Sequence, residues 1–168
     1  MYYLLFRNNH RVNHFGGMAM ESENILAKQK FIFGSIFVLA NRLQAIGDRR
    51  LGEYGLTAKQ WLLTAVIGKF GDNPPTLNEV AETMGSSHQN VKQIALKLQE
   101  KDFLRIEKDE RDSRALRLKL TEQSDRFWKN RQAEDERFVR DLFKNLSGEE
   151  IEAMFHGLNQ LYQAIQKL

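Results

Sequence analysis

The chain of 168 residues contains no cysteine. That excludes disulfides, thiolate zinc sites and a thiol redox switch, and it fits a reducing cytoplasm, the expected location. Proline is almost as scarce: there are two, side by side in the cluster Gly71-Asp-Asn-Pro-Pro75. That cluster is a turn no helix can cross. No apolar run approaches the roughly 20 residues that a membrane-spanning helix needs. The opening six residues are apolar but too short for a signal peptide. The four histidines (His10, His14, His88, His156) are scattered, so no metal site is expected. A Gly-rich phosphate loop, an HExxH pair and a convincing carboxylate pair are also missing. Asp109, Glu110 and Asp112 do crowd together, but in a turn among arginines, which reads as structural. An enzyme is therefore the weakest functional class, and neither a catalytic residue nor a cofactor is expected.

What is present is the composition of a folded protein, 42% hydrophobic and 28% charged. The length suits one compact unit, or one small domain with helical extensions. Net charge is only +3, but it is uneven. Residues 86–119 hold nine Lys/Arg against six Asp/Glu, while residues 122–168 hold seven against nine. Positive charge thus gathers in the middle of the chain. Residues 1–20 are aromatic and Asn/His-rich without a period. They are expected to be a flexible tail, with Met18 and Met20 as alternative translation starts.

From residue 25 to 51 the apolar residues keep a heptad. Ile25, Ile32, Leu39 and Ile46 recur every seven, Ile36 and Leu43 fill the intervening places, and Phe33, Phe37 and Ala40 widen the stripe. One reading is a core helix of a monomer; the other is a helix shared between packing and a dimer interface. Gly52 and Gly55 end it. Thr57-Ala-Lys-Gln60 is a capping box, and the helix it opens, residues 58–70, is apolar almost all round and expected at the centre of a domain. A second capping box, Thr76-Leu-Asn-Glu79, opens a helix of barely two turns that Gly85 stops. A new N-cap follows at Ser86 or Ser87. Two helices joined by so tight a turn form a helix-turn-helix, a spacing that many helical hairpins share.

In the second of these helices Val91, Ile94, Ala95 and Leu98 point inward. Gln89 and Gln93 are left outward, with Asn90, Lys92 and Lys97 on the flanks and Ser86, Ser87 and His88 at the start. Amides can pair with adenine edges in the major groove, and lysines suit phosphates, although a solvated helix face has the same composition. Residues 103–108 and 115–120 alternate apolar and charged positions as two strands do, with Leu104, Ile106, Leu116, Leu118 and Leu120 facing inward. The loop between them, Asp109-Glu-Arg-Asp-Ser-Arg114, carries Arg111 and Arg114 at its tip. An arginine there suits a narrow minor groove, with Asp112 positioning Arg114 through a charge-assisted hydrogen bond. The bland alternative is an exposed ion pair worth under about 1 kcal/mol. A helix beside a basic hairpin is a winged helix-turn-helix, read as a unit for double-stranded DNA.

A long helix to about residue 145 follows, apolar at its two ends and polar over residues 129–137, which reads as a connector solvated in its middle. Ser147-Gly-Glu-Glu150 caps the last helix, where Ile151, Met154, Phe155, Leu158, Leu161, Tyr162, Ile165 and Leu168 make one stripe. That stripe needs cover, and the heptad helix is the natural candidate in an intersubunit bundle.

With these elements placed, the chain resembles the multiple antibiotic resistance regulator (MarR) family over residues 24–166. The most specific match is the wing pattern D-x-R-D-x-R, a small residue and L-x-L-x-L-T, here Asp109-Glu-Arg-Asp-Ser-Arg114 followed by Ala115-Leu-Arg-Leu-Lys-Leu-Thr121. The chain departs from the pattern at Glu122-Gln-Ser124, where the family often has a Gly, and at Gln93, where its recognition helix commonly carries Arg. The resemblance implies a mainly α fold with a small β-hairpin wing (α+β) and a helical dimerisation region from both termini. The corresponding divisions are a tail at 1–20, a dimerisation helix at 21–55, the winged domain at 56–121 and connector and dimerisation helices at 122–168. It further implies a homodimer reading a palindromic operator at half-sites about one helical turn apart. Arg114 would enter the minor groove and Asp112 brace it. Many members respond to small phenolic or apolar ligands between the dimer and DNA regions; Phe33, Phe37 and Trp61 are the candidate lining, with core packing as their competing role. The expected function is a transcriptional repressor relieved by a small molecule. The alternative is a winged-helix module for protein–protein interaction without specific DNA binding.

Overall fold

Each helix start after the first obeys a local rule written in the sequence. The computed structural model describes residues 17–109, 112 and 114–167. Its helices are α1 (Gly17–Gly52), α2 (Ala58–Gly68), α3 (Leu77–Thr83), α4 (His88–Gln99), α5 (Glu122–Phe143) and α6 (Gly148–Ile165). Thr57, Thr76 and Ser147 cap α2, α3 and α6 with the reciprocal Gln60, Glu79 and Glu150 bonds all formed. The Thr76 backbone N–H donates to Glu79 at 2.6 Å, which holds that carboxyl below the usual carboxylate range. Ser87, not Ser86, caps α4: its hydroxyl accepts from the Asn90 N–H at 3.2 Å. Thr121 caps α5 in the same way, so the missing glycine after it does not disturb the start of that helix.

Strands β1 (Leu104–Lys108) and β2 (Leu116–Leu120) pair antiparallel, with Leu104 opposite Leu120 and Ile106 opposite Leu118. The expected alternation holds, since Leu104 and Leu118 are buried and Ile106, Leu116 and Leu120 pack against the core from the side. The architecture is therefore α+β, six helices and one hairpin among the described residues.

The core lies within the middle of the chain. Leu56, Leu63, Val66 and Ile67 meet Leu77 and Val80 of α3, Val91, Ala95 and Leu98 of α4, and Phe103, Leu104 and Leu118 of the hairpin. Helix α1 joins this core at its C-terminal end. Gly47 stands so close to α2 that a Cβ there would come within 2.8 Å of the Ala58 Cβ, and Asp48 accepts the Ala58 N–H at 2.8 Å. The helix then stops at Gly52, and the Leu56 N–H returns to the Leu51 carbonyl.

Three expectations need correction. The first helix begins at Gly17, inside the stretch read as a tail and ahead of the boundary at 21; residues 1–16 lie outside the described residues. Helix α2 is not enclosed all round: Trp61 is 46% exposed and Leu62 is exposed beside it, because α1 and α5 leave a cavity against that side. The polar middle of α5 is not wholly solvated, since Arg131 within it is only 6% exposed.

Helix α6 buries none of its residues against the rest of the chain. Its stripe stays open, from Ile151 to Phe155, which is 67% exposed, and on to Ile165. The α1 heptad residues Ile25, Ile32, Ile36, Leu39 and Leu43 are exposed as well. Among the described residues no helix is long and apolar enough to cross a membrane.

Candidate nucleic-acid interface

The surface offered by α4 follows from its period. With Val91, Ile94, Ala95 and Leu98 buried, the opposite face is set by the helical repeat. His88, Gln89, Asn90, Lys92, Gln93 and Lys97 are all exposed on or beside that face. Ser86 is half-buried in the turn, where its hydroxyl accepts from the Asn90 amide Nδ2 at 2.8 Å. That bond draws Asn90 back toward the turn, while Gln89 and Gln93 carry no such tether. Sequence reading missed Leu96. It is 41% exposed and falls on the same face as Gln89 and Gln93, an apolar group among amides. Its spacing from Gln89 and Gln93 was the available signal.

The hairpin is fastened to α4 rather than hung from it. The Ile106 N–H donates to the Gln99 side chain at 3.0 Å, and the Phe103 N–H to the Leu98 carbonyl at 2.9 Å. Asp102 between them takes a left-handed φ of 57°, and its carbonyl accepts from the Thr121 hydroxyl. At the tip, Asp112 and Arg114 are both exposed, and Arg111 lies outside the described residues. The Asp112 carboxylate accepts from the backbone N–H of Arg114 at 3.0 Å. The brace expected between these two residues thus acts on the main chain and shapes the loop that carries the arginine. Asp109, an acidic residue in a basic loop, is buried; its carboxylate takes the Asp112 N–H at 2.8 Å and pairs with Arg117. Arg117 was not foreseen, because in the strand alternation it looks like any outward basic residue.

Behind this surface lies a cavity of about 580 Å³. Residues of α1 between 40 and 51 form one wall, Trp61 and Leu62 another, Phe138, Val139 and Leu142 of α5 a third, and Ser86, Asn90 and Ile94 the floor. Of the three candidate lining residues only Trp61 is there. Phe33 and Phe37 sit further along α1, edge to face with ring centroids 5.2 Å apart, and line none of it. Arg131 reaches the cavity from α5. Its Nη2 pairs with Asp135 at 3.2 Å and Glu134 at 3.3 Å, and its guanidinium lies 4.7 Å from the Tyr54 ring centre. Its Nε and Nη1, like the indole Nε1 of Trp128, are buried with no acceptor among the described residues. Burial pulls the Arg131 pKa down, but the Asp135 and Glu134 carboxylates more than offset this and raise it, so the group stays charged.

Comparison with known proteins agrees with this geometry. A family model described as the MarR family matches residues 54–115, the winged portion of the chain. No curated protein matches. Among solved structures, a MarR/EmrR family transcriptional regulator from Acinetobacter sp. ADP1 superposes with a TM-score of 0.72 at 17% identity, over 83% of this chain and 98% of that one. The S. aureus MepR–DNA complex gives a TM-score of 0.69 at 18% identity, over 79% and 97%. Streptococcus pneumoniae FabT in complex with DNA gives 0.62 at 22% identity, over 81% and 96%. At these identities the likeness is one of fold.

The turn between α3 and α4 sets the angle at which α4 is presented, and it rests on Gly85 at φ +58°. A Cβ there would meet nothing within 4 Å, so the cost of a side chain is backbone strain alone. Gly85→Ala is therefore expected to lower unfolding free energy by about 1–2 kcal/mol, and Gly85→Asn by less, because Asn tolerates the left-handed region. Urea denaturation of the three proteins decides this; equal stability of the Ala variant would show that the turn relaxes to negative φ.

Proposed function

We propose, from the match of residues 54–115 to the MarR family model, that this chain is a DNA-binding transcriptional regulator. It binds a palindromic operator as a homodimer and represses by occupying the promoter, until a small molecule relieves it. The observation that carries the reading is one rigid block offering two kinds of contact. Gln89 and Gln93 stand on an exposed helix face whose other side is core, and Arg114 stands on a loop bonded back to that helix through the hairpin. Amides suit base edges, Lys92 and Lys97 suit phosphates, and Leu96 suits a thymine methyl. Arg114 suits the minor groove.

The dimer is supported by what the single chain leaves uncovered. Two amphipathic helices at opposite ends of the sequence expose long apolar stripes, more than a monomeric protein usually tolerates. A second copy, contributing the same two helices, buries both by symmetry. The winged domains then lie outside that bundle.

Relief by a ligand is supported by the cavity. Its volume is that of a small-molecule site, and its floor is the start of α4. Arg131 lines the cavity with two buried nitrogens, Nε and Nη1, that have no acceptor among the described residues, and an anion that reached either would be favoured over a neutral molecule. The apolar walls select a hydrocarbon body, so the effector class is an amphipathic carboxylate.

Three experiments test these statements. With a labelled duplex from the region upstream of its own coding sequence, saturable binding at moderate salt is expected. Arg114→Ala should weaken it and reduce the salt slope by about one, at unchanged thermal stability. Absence of binding up to micromolar protein would favour the interaction module instead. Phe155→Glu together with Leu158→Glu places like charges on the α6 stripe and should convert a dimer into a folded monomer in sedimentation velocity. A persistent dimer would exclude α6 from the interface. Octanoate should loosen the DNA complex where octan-1-ol does not, and Arg131→Met should abolish the difference. Equal action of acid and alcohol would refute the charge-based selection.

A further inference from the structure

We infer that Arg117 is the positioning residue of the wing: it acts through a relay of four residues that fixes the backbone carrying Arg114. This rests on the reading that Arg114 contacts DNA.

The relay begins outside the hairpin. The Arg117 Nη1 donates to the carbonyl of Pro74, in the double-proline turn just before α3. Its Nε donates to the Asp109 carboxylate. The other oxygen of that carboxylate accepts the Asp112 N–H at 2.8 Å, and the Asp112 carboxylate in turn accepts the Arg114 N–H at 3.0 Å. Two main-chain bonds close the loop around this path, Asp109 N–H to the Ala115 carbonyl at 3.0 Å and Ala115 N–H to the Asp112 carbonyl at 2.9 Å. Beneath it, the Leu118 N–H donates to the Pro75 carbonyl at 2.9 Å, and Thr76 bridges Arg117 as an added antiparallel pair. The wing is thus referenced to the same turn that caps α3, and the Arg117 guanidinium joins that turn to the loop carboxylate.

The residue types are those such a device needs. Arginine presents donors along two edges of one rigid plane, so it can hold a carboxylate and a carbonyl at once; lysine has one flexible ammonium. The two prolines fix the φ of the turn that supplies the carbonyl and offer no N–H of their own. The Asp109 side chain is only 7% exposed, so the Arg117 guanidinium it faces is the counter-charge that offsets its removal from water. Without the cation, a buried carboxylate drives the loop outward, and Asp112 and Arg114 move with it. The rival role for Arg117 is direct contact with a phosphate, since 40% of its side chain is exposed. Only a coupling measurement separates the two.

The probe is a mixed-sequence 40-base-pair duplex at low salt, titrated by fluorescence anisotropy with wild type, Arg114→Ala, Arg117→Leu and the double variant. Arg117→Leu is expected to weaken binding about tenfold, the scale of one lost charge-assisted bond. In the Arg114→Ala background the same change should have no further effect beyond about twofold. Amide exchange at residues 109–115 should quicken in Arg117→Leu while α4 keeps its protection. Arg117→Lys keeps a charge beside Asp109 but cannot hold the Pro74 carbonyl at the same time, so it should bind between wild type and Arg117→Leu, and it serves where the leucine variant fails to fold. Multiplied losses in the double variant would overturn the relay in favour of a direct phosphate contact. Unchanged binding by Arg117→Leu and Arg117→Lys would overturn it altogether. Failure of the wild type to bind, or of Arg114→Ala to weaken binding, would instead refute the reading on which it rests.

Discussion

Everything on the proposed DNA side depends on how the inner face of α4 is buried. Four residues, Val91, Ile94, Ala95 and Leu98, lie in the core against α2, α3 and the hairpin. Burying side chains of this kind yields roughly 1.5–3 kcal/mol each for Val, Leu or Ile, so the rotation of α4 about its axis is not adjustable. A turn of 100° would expose them and bury lysine and glutamine. Rotation being fixed, the outward set of Gln89, Lys92, Gln93 and Leu96 is also fixed. The same core reaches Leu104 and Leu118, which sets where the hairpin stands beside the helix.

The proposed dimer side depends on an opposite condition. In α1 and α6 the apolar stripes are exposed in the single chain, and the contacts that hold α5 are largely aromatic and ionic. Phe127 packs edge to face on Tyr54, Phe103 and Trp128, at 4.8–5.3 Å between ring centroids. Arg50 of α1 pairs with Glu134 at 2.8 Å and lies over the Phe138 ring at 4.5 Å. Such polar joints are worth less than leucine packing and respond more readily to what occupies the space between them. Leucine packing thus holds the proposed DNA side, whereas aromatic and ionic contacts hold α5 to the rest of the chain.

This division also explains what was legible in the residues. Capping boxes, the α1 heptad and the period-two strands are local patterns, and the structure contains all of them. The wing loop was recognisable because six consecutive residues define it. Burial of a charge is not local. Arg131 with Glu134 and Asp135 reads as an exposed i, i+4 arrangement, and Tyr54, from the turn after α1, comes over it only in the fold. The exposure of Trp61 has the same cause: an apolar helix is enclosed only if its neighbours come close, and here a cavity intervenes. Phe33 and Phe37 misled because aromatic residues one turn apart suggest a pocket wall, whereas the cavity opens nearer the C-terminal end of α1. Arg117 sits at an outward strand position like Arg105, and nothing near it in sequence reveals the Pro74 carbonyl.

The cavity's position gives the proposed ligand response a physical route. Its floor includes Ser86, Asn90 and Ile94, at the turn and first half of α4, while its walls belong to α1 and α5. A ligand that touches both the dimer helices and α4 can bind one relative arrangement better than another, and that difference is the whole of its effect. The demand is modest: a coupling of 1–3 kcal/mol shifts an affinity by about 5–150-fold. A buried guanidinium gaining one carboxylate partner supplies energy on that scale, because hydrogen bonds to charged groups contribute about 1.5–3 kcal/mol. Nη2 of Arg131 is already committed to Asp135 and Glu134, so an anion that reached Nε or Nη1 would act on α5 through the same planar group. In the proposed response one arginine would both recognise the ligand's charge and join it to α5.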